Sequence, residues 1–221
     1  MNKRGLIFMN EKIYLHTINN GRKDYYDSRH QLEVLKSILK DGAVLSRRLQ
    51  GYTSDMLTNF SGLDYISLSD YEKREVCNKQ KEYYNSFYAY VRRGLSLSFP
   101  QDKVKVIEPE LIRICSRSIS DFETMRYLGL SEDKRFTDLP DEVQVKDKLS
   151  LENFNGLIFP TDNFMHSKVL TKKSKMIKLL KEELKVIREI LNEYNYNVNI
   201  YDVDTLKELN EESLENIALK R

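Results

Sequence analysis

Apolar side chains recur along the chain at two spacings, and each change of spacing marks where a strand gives way to a helix. KIYLHT at 12–17 has the composition of a short buried strand, and the polar stretch NNGRKDYYDSRH after it reads as a loop or a ligand-facing segment. Leu32, Leu35, Ile38 and Leu39 then fall at i, i+3, i+6 and i+7, which predicts an amphipathic helix over 31–40 stopped by Asp41-Gly42. AVLSRRLQGY is ambiguous, whereas LDYISLS at 63–69 has the β-branched and aromatic content of a strand.

Residues 70–92 are predicted helical, with tyrosine and phenylalanine rings crowded between Tyr71 and Tyr90. GLSLSFP and KVKVIEP predict a pair of strands split by the turn-forming Pro100-Gln101-Asp102. A helix over 109–127 and a loop over 128–141, with Phe136 near its tip, lead into the strands EVQV and FNGLIFP. Met176, Ile177, Leu180, Leu184, Ile187 and Leu191 then mark a long helix ending in NEYNYN, followed by the strand VNIYDV and a short solvated helix, ELNEESLENIALKR.

Short strands separated by both hairpins and helices make the class α+β rather than a regular βαβ wind. A chain of 221 residues suits one domain with an appended helical segment, expected at 1–170 and 171–221. Lys+Arg 36 against Asp+Glu 34 leaves a formal charge of +2, so whole-chain charge does not announce nucleic acid. Cys77 and Cys115 lack a metal-spaced companion and are expected to be reduced packing residues.

The start MNKRGLIFMNEKIYL is broken by Asn10, Glu11 and Lys12 before a signal-type apolar core forms, and no apolar run of spanning length occurs. A cytoplasmic chain with no membrane association is expected. There is no GxGxxG and no GxxxxGK[ST], so neither nucleotide-binding loop is supported.

Chemistry is expected where strands open into loops. His16 and Thr17 end the first strand and are candidate ligand contacts, set against the commonplace alternative of a satisfied core histidine beside a turn-starting threonine. Arg47 and Arg48 can hold a phosphate through a planar guanidinium or simply be solvated. Tyr83, Phe87 and Tyr90 fit the packing face of their helix, which leaves Tyr84 and Tyr88 on an adjacent stripe able to stack on a flat heterocycle. Glu142 opens a late strand after a polar, proline-containing run; an acid there can solvate a strand end, or can stabilise positive charge developing on an anomeric carbon. No second acid is set near it by sequence.

Taken together, LHT at 15–17, LEVLKSILKDGAVLSRR at 32–48, DYISLS at 64–69, RRGLSLSF at 92–99 and DEVQVKDKLSLENFNGLIF at 141–159 resemble, in order, the ADP-ribosyltransferase fold and its DarT-like toxins of the His-Tyr-Glu branch. The resemblance implies a split mixed and antiparallel sheet with flanking helices and NAD as substrate, with no metal, bound between two small sheets. It implies that His16 meets a ribose hydroxyl or the nicotinamide side, Arg47 or Arg48 a phosphate and Tyr84 or Tyr88 the nicotinamide ring, and that Glu142 contacts the nicotinamide ribose and assists the C1′ centre.

A protein or nucleic-acid acceptor, chosen by residues 128–141, and an antitoxin or regulatory partner would complete the picture. Relatives often space the first motif as His-x-Thr, whereas His16 and Thr17 are adjacent, and the insert before the helix is longer, which makes Arg29 or His30 an alternative contact. An RNA 2′-phosphotransferase, or a non-catalytic nucleotide- or partner-binding protein of the same fold, is the rival reading.

Overall fold

A computed structural model of the chain describes residues 12–18, 26–52, 64–70, 94–106, 142–166, 173–210 and 213–214. At its centre is β1 (Ile13–Thr17), which pairs antiparallel on one edge with β3 (Tyr65–Asp70) and on the other with β4 (Ser96–Pro100). β5 (Glu142–Lys146) adds antiparallel beyond β3, β7 (Gly156–Phe159) antiparallel beyond β4, and β8 (Asn199–Asp202) parallel beyond β7. The order across this six-stranded sheet is β5-β3-β1-β4-β7-β8. A second sheet of two strands pairs β2 (Ala43–Leu45) with β6 (Lys148–Ser150). The fold is therefore α+β, with a mixed sheet, a small companion sheet and flanking helices, as the sequence indicated.

Because successive strand residues point to opposite faces, each face of the sheet builds its own core. Leu68, Leu97, Phe99, Leu157, Phe159 and Ile200 face the larger one. α1 (Ser28–Asp41) covers it with Leu35, Ile38 and Leu39, and a long helix, α3 (Lys173–Glu193), adds Leu180, Leu184 and Ile187. The shorter α2 (Thr161–His166) contributes Phe164 and Met165. Each such side chain taken fully out of water stabilises by roughly 1.5–3 kcal/mol. The other face carries a smaller cluster of Ile13, Leu15, Ile158, Tyr201 and Val203.

Helix ends follow the local chemistry. Gly42 sits at φ 62°, where a glycine is unstrained, and its N–H closes α1 on the carbonyls of Ile38 and Leu39. Asn195 takes the same left-handed conformation at φ 62° after α3, and Tyr196 donates its N–H to the Leu191 carbonyl at 2.8 Å. The start of α1 is pinned from inside. Gln31 is fully buried; its Nε2 donates to the Ile18 carbonyl at 3.2 Å while its Oε1 accepts from Leu95 N–H at 2.7 Å. One side chain thus satisfies backbone groups where β1 ends and where β4 is about to begin.

Two local readings change. The ambiguous AVL is a strand, β2, because β6 offers it an antiparallel partner. The described part of KVKVIEP, 103–106, does not pair with the strand before it: Gln101–Lys103 form a 3-10 turn, and 104–106 lie outside any strand. The edges of β4 are already taken by β1 and β7, so KVKV cannot fold back on it as a hairpin partner. Of the helix expected at 70–92, Asp70 instead ends β3 and the rest lies outside the described residues, as do the expected helix at 109–127, the loop at 128–141, Cys77, Tyr84, Tyr88, Cys115 and most of the tail helix.

The close approach of Gly94 to β1 leaves no room for a side chain. A Cβ there would stand 2.3 Å from the Ile18 carbonyl oxygen and 3.0 Å from Gln31 Oε1. Gly94→Ala is expected to destabilise by about 1–3 kcal/mol through overpacking against backbone. Gln31→Leu is expected to do so by a similar amount, through two buried backbone groups left unpaired. Urea unfolding followed by circular dichroism measures both; changes within about 0.3 kcal/mol of the parent chain would show that the Gln31 contacts are not formed.

Candidate functional site

His16 and Thr17 are neighbours on β1 and therefore belong to opposite faces of the sheet. His16 stands opposite Leu97, in the face of the larger core, and is half-buried. Thr17 stands opposite Ser96 on the other face; it is 6% exposed, and its Oγ1 lies 2.8 Å from Ser96 Oγ. Ser98, one pair further along that face, donates to Asn155 Oδ1 at 2.7 Å and to the Gly156 carbonyl at 2.8 Å. This face thus carries a buried row of hydroxyls beside the apolar cluster of Ile13 and Leu15.

Position 142 joins the same face through the strand register. Leu15 pairs with Ser69 of β3, and Ser69 pairs with Glu142 of β5, so the three stand in one row across the sheet. Two strand spacings separate the ends of that row, roughly 10 Å. The register brings Glu142 level with Leu15, on the side where Thr17 lies and one residue out of step with His16. The side chain of Glu142, like Tyr84 and Tyr88, lies outside the described residues.

Arg47 and Arg48 lie in the turn that follows β2. That turn is closed by backbone bonds from Gln50 N–H to the Ser46 carbonyl at 3.1 Å, Gly51 N–H to Arg48 at 3.0 Å and Tyr52 N–H to Arg47 at 3.0 Å. The two arginines differ in their engagements. Arg48 forks onto the carboxylate of Asp64, Nε to Oδ1 and Nη2 to Oδ2 at 3.2 Å. That hydrogen bond, then the charge of Asp64, raises the guanidinium pKa, while the same contact lowers the carboxyl of Asp64 below its ordinary range. Arg47 is exposed and pairs with no carboxylate among the described residues.

Arg29 forms an exposed pair with Glu33 one turn along α1, at 3.1 Å, and His30 is half-buried on the same helix. The sequence reading missed a cluster at the foot of this helix. Glu183 of α3 accepts from Tyr26 Oη at 2.9 Å and from Ser28 Oγ at 2.7 Å, and Tyr26 N–H donates to Asn163 Oδ1 at 2.6 Å. Tyr26 packs against Phe159 and Phe164, and burial, then the Glu183 carboxylate, pushes its hydroxyl well above the ordinary tyrosine value. The end of the polar insert is thereby tied to α2 and α3. Only the polar character of Tyr26, Asp27 and Ser28 hinted at this, because their partners lie more than a hundred residues away.

Among the described residues, no three His, Cys, Asp or Glu side chains stand close enough to hold a metal, and no helix is long and apolar enough to cross a membrane. No family model and no curated protein matches the chain. A solved structure of DarT from Thermus sp. 2.9 in complex with NAD+ matches with 10% identity and a TM-score of 0.34, over 81% of this chain and 91% of that one. A likeness at that level does not constrain the chemistry of this chain.

The Arg48–Asp64 pair yields a pH expectation. The native Asp64 carboxyl titrates below its unfolded counterpart, so the pair's contribution is complete above the unfolded value near 3.8 and is lost as pH falls through the lowered native one. Carbon-detected NMR of Asp64 is expected to give a midpoint below 3.8 that returns toward it in Arg48→Ala. An unchanged midpoint in that variant would show that the guanidinium does not hold the carboxylate.

Proposed function

We propose that the chain is an NAD-consuming ADP-ribosyltransferase that modifies a protein or nucleic-acid acceptor, in the manner of a toxin or a phage-conflict factor. What supports the reading is the strand register Leu15–Ser69–Glu142, in which position 142 stands level with Leu15, two strands from the strand that ends in Thr17. A dinucleotide is long enough to touch both positions. The segments concerned are, in chain order, a strand ending in His16-Thr17, a helix, an arginine turn and a strand opened by Glu142.

In this reaction the bond from the ribose C1′ to the nicotinamide nitrogen breaks, and nicotinamide leaves with the bonding electrons. The acceptor's lone pair forms the new bond to C1′, and the acceptor gives up its proton. Positive charge builds on C1′ and the ring oxygen between the two events. Glu142 is the group given the task of opposing that charge through the ribose hydroxyls, where a placed carboxylate helps more than one in bulk water. Thr17 or His16 holds a ribose hydroxyl, an arginine of the 46–51 turn a phosphate, and Tyr84 or Tyr88 the nicotinamide ring. The substrate is NAD, with no metal in the scheme.

Nicotinamide released from NAD, with and without oligonucleotide or protein acceptors, measures the activity. Glu142→Gln is expected to lower turnover by about 10²–10³-fold, the scale of losing one electrostatic stabiliser of a transition state. Thr17→Ala and His16→Ala, one on each face of the sheet, report which face meets the ribose. Turnover indifferent to Glu142→Gln would sink the reading, and NAD binding without turnover on any acceptor would favour a non-catalytic binding protein.

A further inference from the structure

The chain crosses from the large sheet to the small one through a single residue. β5 ends at Lys146 and β6 begins at Lys148, and Asp147 between them has φ 59°, left-handed backbone that a side chain seldom adopts. Both backbone polar groups of Asp147 are engaged. Its N–H donates to the Asp64 carbonyl at 2.7 Å, and its carbonyl accepts from Ser46 N–H at 2.7 Å. Asp64 stands directly before β3 in the large sheet, and Ser46 directly after β2 in the small one. Arg48, two residues beyond Ser46, closes the ring on the Asp64 carboxylate. Three chain segments are thus linked head to tail where the sheets meet, and only one of those links is made by side chains.

We propose that Asp64 is a positioning residue: it holds Arg48 as a strut between the two sheets, and so leaves Arg47 as the guanidinium of that turn that receives an anionic ligand. The anion is the diphosphate of the dinucleotide, and in that respect the inference rests on the proposed function. The fork takes two of the five N–H donors of Arg48 and sets the Asp64 carboxylate against the guanidinium, so an anion approaching Arg48 also meets the negative charge of Asp64. Arg47 carries no such commitment among the described residues and extends from a turn whose backbone is closed by three hydrogen bonds. The strut serves orientation, since an exposed ion pair by itself adds little to stability.

Side-chain Nε–Hε signals in nitrogen-15 NMR spectra, identified by Arg47→Lys and Arg48→Lys, separate the two roles. Asp64→Asn, at an unchanged far-ultraviolet circular dichroism spectrum, is expected to move the Arg48 signal to the position of a solvated arginine, with recovery in Asp64→Glu. Addition of NAD is expected to shift the Arg47 signal and leave that of Arg48, and Arg47→Ala to weaken NAD binding by tenfold or more in calorimetric titration. An Arg48 signal indifferent to Asp64→Asn overturns the strut. An Arg48 signal that follows NAD, with Arg47→Ala binding normally, overturns the division of labour. If the parent chain binds no NAD, the dinucleotide reading and the role given to Arg47 fall together, while the response to Asp64→Asn still decides the strut.

Discussion

The strict alternation of side chains along β1 is the constraint from which most of this molecule follows. That strand is paired on both edges and covered on both faces, so none of its residues from Ile13 to Thr17 can turn without carrying its neighbours the other way. Ile13, Leu15 and Thr17 go to one side, Tyr14 and His16 to the other. The larger core, with α1 and α3 laid on it, accounts for one side. The smaller cluster and the row of Thr17, Ser96 and Ser98 hydroxyls account for the other. A slip of one residue in β1 would turn Thr17 toward the larger core, away from Ser96.

The ends of this strand are held by polar groups rather than by apolar mass. Gln31 reaches across from α1 to the backbone at Ile18 and Leu95, and Glu183 reaches from α3 to Tyr26 and Ser28. Each contact spans elements that are distant in sequence and satisfies groups that would otherwise be buried without partners. The polar insert between β1 and α1 therefore leaves β1 at one anchored point, Ile18, and meets α1 at another, Tyr26. Any ligand contact made by that insert is framed by these two anchors, and α3 is part of the frame.

The junction of the two sheets obeys a different rule. Strands β5 and β6 are almost continuous in sequence yet belong to different sheets, which requires a sharp change of direction at Asp147. Aspartate is among the few non-glycine residues that tolerate that backbone conformation. The neighbouring segments, before β3 and after β2, are tied to the same residue through its N–H and carbonyl.

Much of the secondary structure was legible in the sequence because it depends on local periodicity: the apolar stripe of α1 with its Gly42 stop, the long stripe of α3, and the strands β1, β3, β5, β7 and β8. The adjacency of His16 and Thr17 already implied that the two residues part company on a strand, since the period of two needs no coordinates. What the sequence could not supply was pairing. Whether KVKV becomes a strand, whether AVL does, and that VNIYDV adds parallel to β7 all depend on which ladder edges are open once the other strands are in place. The same holds for the candidate site. Residue types and order nominated Glu142, Thr17 and the two arginines; only the tertiary structure decided that Glu142 shares a row with Leu15 and that Arg48 is bound to Asp64, because both facts follow from contacts between segments that local sequence does not encode.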